Sequence, residues 1–468
     1  MRIPHIYSLL LGILVVVLFQ SCQDDVDDVG LYQNLEVSDI IDTSIIVTDP
    51  TTQLITDWNT LWLEIDRYAY GMRPVATARS LAYIHLATYE VAVADIDGNQ
   101  SNVNNLDELT IDFSERPDNV DIKMALNTCY AIVFDHFMYN VQGDVDVKIG
   151  QHKNAQEIRL QEGLSADVIT NSVAWGAYVA EQVIAYSQTD TAAESQIIEP
   201  QPYAYEPPAG EGYWTYSADE ERAWFPYWAS ARTFVITSEE TSSVPPAINY
   251  STNVDSDFYN EMMEVYTINN AAREEDNDDL WVAEFWSDDV ECLMMSPPGR
   301  QISIANQLID QMDVSYEQSL MMLLKLGFSL NDAAVSTWAD KYEYMVMRPS
   351  VYIQEHIDPL YQTNLYRFIN WPNPSFPGYP SGHSAFSSAA AGVFINEFGN
   401  TINFTDKTHE GRTEFRGAPR QYNSLSEMAQ ESAFSRLPLG VHVRMDCTEG
   451  LRLGYEISDA VNAYNLSE

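Results

Sequence analysis

Apolar residues recur three and four apart through long stretches of this chain, as in VATARSLAYIHLATYEVAVADI from Val75 and ADVITNSVAWGAYVAEQVIAYSQ from Ala166. That spacing lays a continuous apolar stripe along an α-helix, whereas a half-buried strand alternates with period two. QSLMMLLKLGFSLNDAAVSTWADKYEYMVM, SAFSSAAAGVFINEF and EGLRLGYEISDAVNAY carry the helical pattern through the second half, and alternating runs are scarce. The expected fold class is therefore all-α, with helical bundles over 51–190 and 251–468 and the chemistry in the second. Between them, 191–250 turns to Pro, Gly, Tyr and Trp, as in PYAYEPPAGEGYWTYSADEERAWFPYW, and reads as a long connecting segment.

Composition narrows the partners. With 69 acidic against 24 basic residues, the formal charge is −45. This argues against nucleic acid or an anionic bilayer, both of which need a basic face. The first 21 residues, with Arg2 ahead of LLLGILVVVLF, read as an export signal too short to span a membrane. QSC then ends at Cys22, and QDDVDD follows. That arrangement resembles bacterial lipoprotein signals, although Phe19 departs from their pattern, and implies lipidation of Cys22 ahead of an acidic tether over 22–50. The expectation is an exported, outer-membrane lipoprotein at the cell surface, held by lipid alone, with a periplasmic or secreted protein as the alternative. The remaining cysteines, Cys129, Cys292 and Cys447, are odd in number and form no CxxC pair, which argues against a disulfide framework or a zinc site.

Three segments of the last third carry chemistry. Lys341 and Arg348 lie seven residues apart, two turns of one expected helix, with Trp338 a turn earlier and Pro349 ending it. Pro380-Ser381-Gly382-His383 opens the next helix, and Ser435, Arg436, His442 and Asp446 come from SRLPLGVHVRMD. Taken singly, these read as a solvated helix face, a serine cap and a surface pair at i,i+4. Together, two arginines, a lysine, a helix start and two histidines supply donors on all sides of a tetrahedral oxyanion.

The combined pattern K-x6-R-P, P-S-G-H and S-R-x5-H-x3-D resembles the signature of the type-two phosphatidic acid phosphatase and vanadium haloperoxidase superfamily. Weaker likeness to bacterial haloperoxidases extends to RPVATARSLAYIHLATYEVA and PPAGEGYWTYS. The resemblance implies vanadate bonded to His442, with Asp446 holding the other ring nitrogen. It implies that Lys341, Arg348, Arg436, Ser381 and the Gly382 amide bind the oxyanion, that His383 moves protons, and that Lys341 polarises bound peroxide. Within that family Trp338 matches a pocket tryptophan, and Phe376 stands where chloroperoxidases carry phenylalanine.

These neighbours, and the H-x-R-x-D pattern at His442, favour a haloperoxidase acting on hydrogen peroxide, halide and a small organic acceptor, with iodide or bromide ahead of chloride. An acid phosphatase working through a phosphohistidine, and a non-catalytic surface binding protein, stay open alternatives. Asp288 or Asp289 is the expected acidic partner of Arg436. His85 and His136 are expected as hydrogen-bonded core histidines, and His152, His356 and His409 at the surface.

Overall fold

The computed structural model describes residues 49–467, apart from 139, 142, 217–220, 276, 289 and 367–372. The signal segment, Cys22 and nearly all of the tether lie outside the described residues.

Helix α1, Pro50–Asp66, begins where Asp49 accepts hydrogen bonds from the Thr51 and Thr52 amides, with proline at the first helical position. Helices α2 (Val75–Ala92), α3 (Ile122–Phe137), α4 (Gly143–Leu160), α5 (Ala166–Gln188) and α6 (Thr191–Ile198) follow. Thus α6 occupies the first residues of the expected connecting segment. From Glu199 to Ser256 the described chain forms a single short 3-10 turn at Trp228–Ser230.

The second series comprises α7 (Asp257–Ala271), α8 (Asp279–Phe285), α9 (Pro297–Met312), α10 (Tyr316–Tyr344) and α11 (Pro349–His356). It ends with α12 (Gly382–Phe398), α13 (Leu425–Phe434), the short α14 (Arg436–Leu439) and α15 (Arg444–Asn462). Two three-residue strands, β1 (Phe404–Asp406) and β2 (Arg420–Tyr422), pair antiparallel and are the strands of the described chain. The fold is predominantly helical.

Helix α10 is the axis of the packing, with α2 on one side and α12 on the other, and residues of both helical series share one hydrophobic core. Every residue of α2 is buried, consistent with apolar residues all round it rather than along one stripe. His85 of α2 is buried as expected, but neither ring nitrogen has a hydrogen-bond partner among the described residues, and burial lowers its pKa to about 3. It is a neutral core residue rather than a bonded one. His136 and His152 are half-buried, the latter because its ring packs edge-on against Trp58 at 4.6 Å.

The most extensive contact joins α12 to α15. Its closeness depends on two glycines one turn apart. A methyl group on Gly450 would lie 2.4 Å from the Ser381 carbonyl oxygen, and one on Gly454 would lie 2.2 Å from that of Ala385. Neither distance is physically accessible to a side chain, so any larger residue would drive the two helices apart.

The connecting segment is pinned along α10 by two carboxylates two turns apart on the same face. Asp332 accepts from the amides of Phe234, Val235 and Ile236 at 2.8, 2.8 and 3.1 Å, and Asp340 accepts from Ser243 at 2.7 Å. Phe234 stacks on Phe328 with ring centroids 4.3 Å apart. Burial raises both carboxyls to about 6, against the pull of those amides. The long connection is thereby held against the helix that leads into the candidate site.

Candidate active site

Lys341 does not share a helical face with Arg348. Helix α10 stops at Tyr344, Met345 adopts a left-handed conformation at φ 51°, and Arg348 sits in extended backbone as the cap of α11. The expected two-turn extension fails because the chain reverses before proline is reached, at a methionine that carries no turn signal in sequence. The reversal nevertheless brings the two cations to one place. Phe376 lies between them, 5.4 Å from Lys341 Nζ and 4.8 Å from Arg348 Cζ, measured to the ring centroid. Trp338 packs against the Phe376 ring at 5.0 Å and donates its indole N–H to the Trp224 carbonyl at 3.3 Å.

Lys341 is fully buried and donates to three loop carbonyls, Pro377 at 3.1 Å, Gly378 at 2.9 Å and Pro380 at 2.5 Å. It therefore shapes the loop that delivers Ser381. Burial, and then the Arg348 charge, hold its pKa well below the ordinary lysine value, while Asp446 and Asp340 oppose this. Arg348 donates from Nε to the Phe376 carbonyl at 2.9 Å. Its Nη1 reaches the Val441 carbonyl at 3.0 Å and His442 Nε2 at 3.1 Å.

Ser381 caps α12, accepting from the Ser384 amide at 3.4 Å, and its own amide donates to the Asp446 carbonyl at 3.0 Å. Gly382 is the first residue of α12, against the Trp338 ring. The opening turn of α12 is thus tied directly to the first turn of α15.

The two histidines adopt opposite tautomers. His442 Nδ1 donates to Asp446 Oδ2 at 2.9 Å, which leaves Nε2 as an acceptor facing Arg348. His383 Nε2 instead donates to the Ser287 carbonyl at 3.2 Å. Burial first, then the charges of Arg348, Lys341, Arg436 and His383, hold the His442 pKa well below the ordinary imidazole value, and the Arg348 guanidinium, which can only donate, calls for an unprotonated Nε2. Asp446 is buried, and burial raises its carboxyl against the opposing pull of Lys341 and Arg348. Arg436, at the start of α14, donates to the carbonyls of Trp286 at 3.0 Å and Ser287 at 3.3 Å.

Lys341, Arg348, Ser381, His383, Arg436, His442 and Asp446 are thus all buried and joined through these contacts, with Trp338 and Phe376 packed beside Lys341, while Cys22 lies outside the described residues. Of the two aspartates expected beside Arg436, Asp288 pairs with Arg300 at 2.8 Å, and Asp289 lies outside the described residues. The surface expectation for His409 is overturned as well. His409 is wholly buried beside Arg300 rather than at the surface, because the β1–β2 loop folds inward over α9. The sequence reading also missed the backbone of 286–287, since a carbonyl acceptor leaves no mark on residue type. The one available signal was Arg300 itself, a cation on the buried face of α9.

The donor set fits a tetrahedral oxyanion that also needs one nitrogen ligand. Three cations and a helix N-terminus supply hydrogen-bond donors, and one neutral imidazole presents a lone pair among them.

Comparison with known proteins agrees. Residues 321–467 match the family model described as the VCPO second helical-bundle domain. Vanadium chloroperoxidase of Curvularia inaequalis is 24% identical over 220 residues, and the match covers 35% of this chain and 35% of that protein. The chain thus spans about a third of the length of that curated relative. A bacterial vanadium-dependent iodoperoxidase superposes with a TM-score of 0.74 at 24% identity, covering 86% of this chain and 96% of its own. A bacterial vanadium-dependent chloroperoxidase in its holo form superposes with a TM-score of 0.60 at 14% identity, covering 92% of this chain and 96% of its own. Residues 321–467 are thus similar to the second helical bundle of vanadium chloroperoxidase, and the chain shares its helical fold with the bacterial vanadium-dependent haloperoxidases.

Proposed function

We propose that the pocket holds vanadate and that the protein is a haloperoxidase, using hydrogen peroxide to oxidise iodide or bromide in preference to chloride. The observation that carries this reading is His442 Nε2, which accepts from Arg348 Nη1 at 3.1 Å while Nδ1 is held by Asp446 at 2.9 Å. A neutral imidazole acceptor is what a metal-centred oxyanion needs and what a simple anion does not. Vanadate, when bound, supplies a Lewis acid that activates peroxide without changing its own oxidation state.

The chain's own residues do the rest. Asp446 fixes the His442 tautomer so that Nε2 is the ligand atom. Arg348, Arg436, Ser381 and the Gly382 amide would hold the oxyanion, and Lys341, whose ammonium donates to the Pro377, Gly378 and Pro380 carbonyls, would add its charge and, on turning from one of them, a donor toward peroxide. His383, held at Nε2 by Ser287, moves a proton through its other nitrogen. The oxidised halogen passes to a small organic acceptor. Likeness to an iodoperoxidase supports iodide as the preferred halide.

The test is reconstitution of the purified mature chain with orthovanadate, followed by peroxide consumption with iodide, bromide and chloride. Turnover that needs vanadate and halide is expected. Hydrolysis of a generic phosphomonoester, inhibited by vanadate, would instead establish the acid phosphatase alternative, in which a histidine attacks phosphorus. Activity in neither assay would leave a surface binding protein.

We also propose export and lipid attachment at Cys22. No described helix is long and apolar enough to cross a membrane. Cys22→Ser is expected to release the protein from the membrane fraction and abolish acyl labelling, and a labelled, membrane-bound variant would refute the anchor.

A further inference from the structure

The four residues 285–288 contact the pocket through their middle and the protein core through their ends. Their two middle carbonyls, Trp286 and Ser287, receive Arg436, and Ser287 also receives His383. Their ends are both gripped by Arg300. Its Nε lies 3.3 Å from each Asp288 carboxylate oxygen, its Nη2 lies 2.8 Å from Oδ1, and Nη2 also donates to the Phe285 carbonyl. His409 Nε2 reaches the same Phe285 carbonyl at 3.0 Å. The guanidinium lies over the Phe285 and Trp286 rings, 4.8 and 5.1 Å from their centroids, and Asp406 faces Nη1 at 3.5 Å.

Such a grip is needed because Asp288 adopts φ 43°. A non-glycine residue in the left-handed region is strained and persists only where neighbours over-determine it. A planar, forked guanidinium suits the task, since it fixes a carboxylate and a carbonyl in one orientation where a lysine would act as a point charge. Releasing it would let the 286–288 peptides rotate and would move the acceptors of Arg436 and His383 together.

We propose that Arg300 and Asp288 are positioning residues of the pocket, clamping both ends of the 285–288 segment so that its middle carbonyls hold Arg436 and His383 in place. The proposal rests on the oxyanion-pocket reading and extends it to residues that touch no guest. Asp288 holds the segment in its left-handed turn, and Arg300 makes that turn rigid. Their effect on the reaction is carried wholly by the two groups they orient.

The experiment measures binding of inorganic phosphate and of orthovanadate to the mature chain by calorimetry across pH, for wild type, Asp288→Asn, Arg300→Lys and the control Leu308→Ala. Asparagine tolerates the left-handed conformation, so Asp288→Asn removes the charge pair with little change in backbone preference. Leu308 is a buried residue of the same helix α9, two turns beyond Arg300, and its truncation destabilises the core without removing a group of the clamp. Both clamp variants are expected to weaken binding of both anions at least tenfold and to shift the pH profile of binding, whereas Leu308→Ala keeps both. Should the clamp variants bind like Leu308→Ala, with an unmoved pH profile, the positioning role is overturned while the pocket reading stands. Should wild type bind neither anion, the pocket reading fails and takes this inference with it. If one clamp variant does not fold, the other decides.

Discussion

His442→Ala is expected to lower halide oxidation by on the order of 10³-fold, the scale on which losing a group aimed at the reacting centre is felt. Phosphate affinity in the same variant should fall by less than about tenfold, since two arginines, a lysine and a helix start still face the guest. The split follows from the geometry. His442 is neutral, with Nδ1–H committed to Asp446, so its contribution to a plain oxyanion is small, while its Nε2 lone pair is the ligand proposed for the metal. Steady-state peroxide consumption and phosphate calorimetry on one preparation check both halves. Equal turnover in wild type and variant would remove vanadium ligation from this histidine.

Lys341→Met is expected to have the second largest effect, a loss of about 10²-fold or more in vanadate-dependent turnover. It also leaves the carbonyls of Pro377, Gly378 and Pro380 without their shared donor. The pH dependence separates charge from structure. The folded pKa of Lys341 is depressed, so the unfolded chain binds more protons between that value and the ordinary 10.5. Across that window this group makes folding more favourable as pH rises, by linkage. Anion binding runs the other way, because the pocket loses a cation over the same range. Wild type should therefore show vanadate affinity falling on the alkaline side without a matching fall in melting temperature from this residue, and Lys341→Met should lose that limb. An alkaline limb unchanged in the variant would show that another group titrates there.

The helical class was legible because its signal is local: a 3.6-residue period needs no knowledge of partners. The clustering of Lys341, Arg348, Ser381, His383, Arg436, His442 and Asp446 was legible because they are side chains at fixed spacings, and they are buried together in contact. What sequence could not give was the route by which they meet. Met345 breaks α10 with no glycine or proline to announce it, so Arg348 arrives from an extended segment rather than from a helix face. Asp288 found Arg300 because α9 passes behind the segment, a tertiary relation with no local trace. His409, expected at the surface, is turned inward by the loop after β1, a tertiary relation that its residue type does not show. The acceptors at Trp286 and Ser287 are backbone, and any residue type would present the same oxygen.

The absent side chains at Gly450 and Gly454 have a reach beyond stability. Ser381 starts one helix and Asp446 lies in the first turn of the other, and the two starts are joined by a single amide-to-carbonyl bond. The width of the anion cage is therefore set further down, by how deeply one rod nests into its neighbour. Attempts to retune which guest the cage accepts would do better to vary its aromatic wall than this seam, where one added methyl would reset every distance at once.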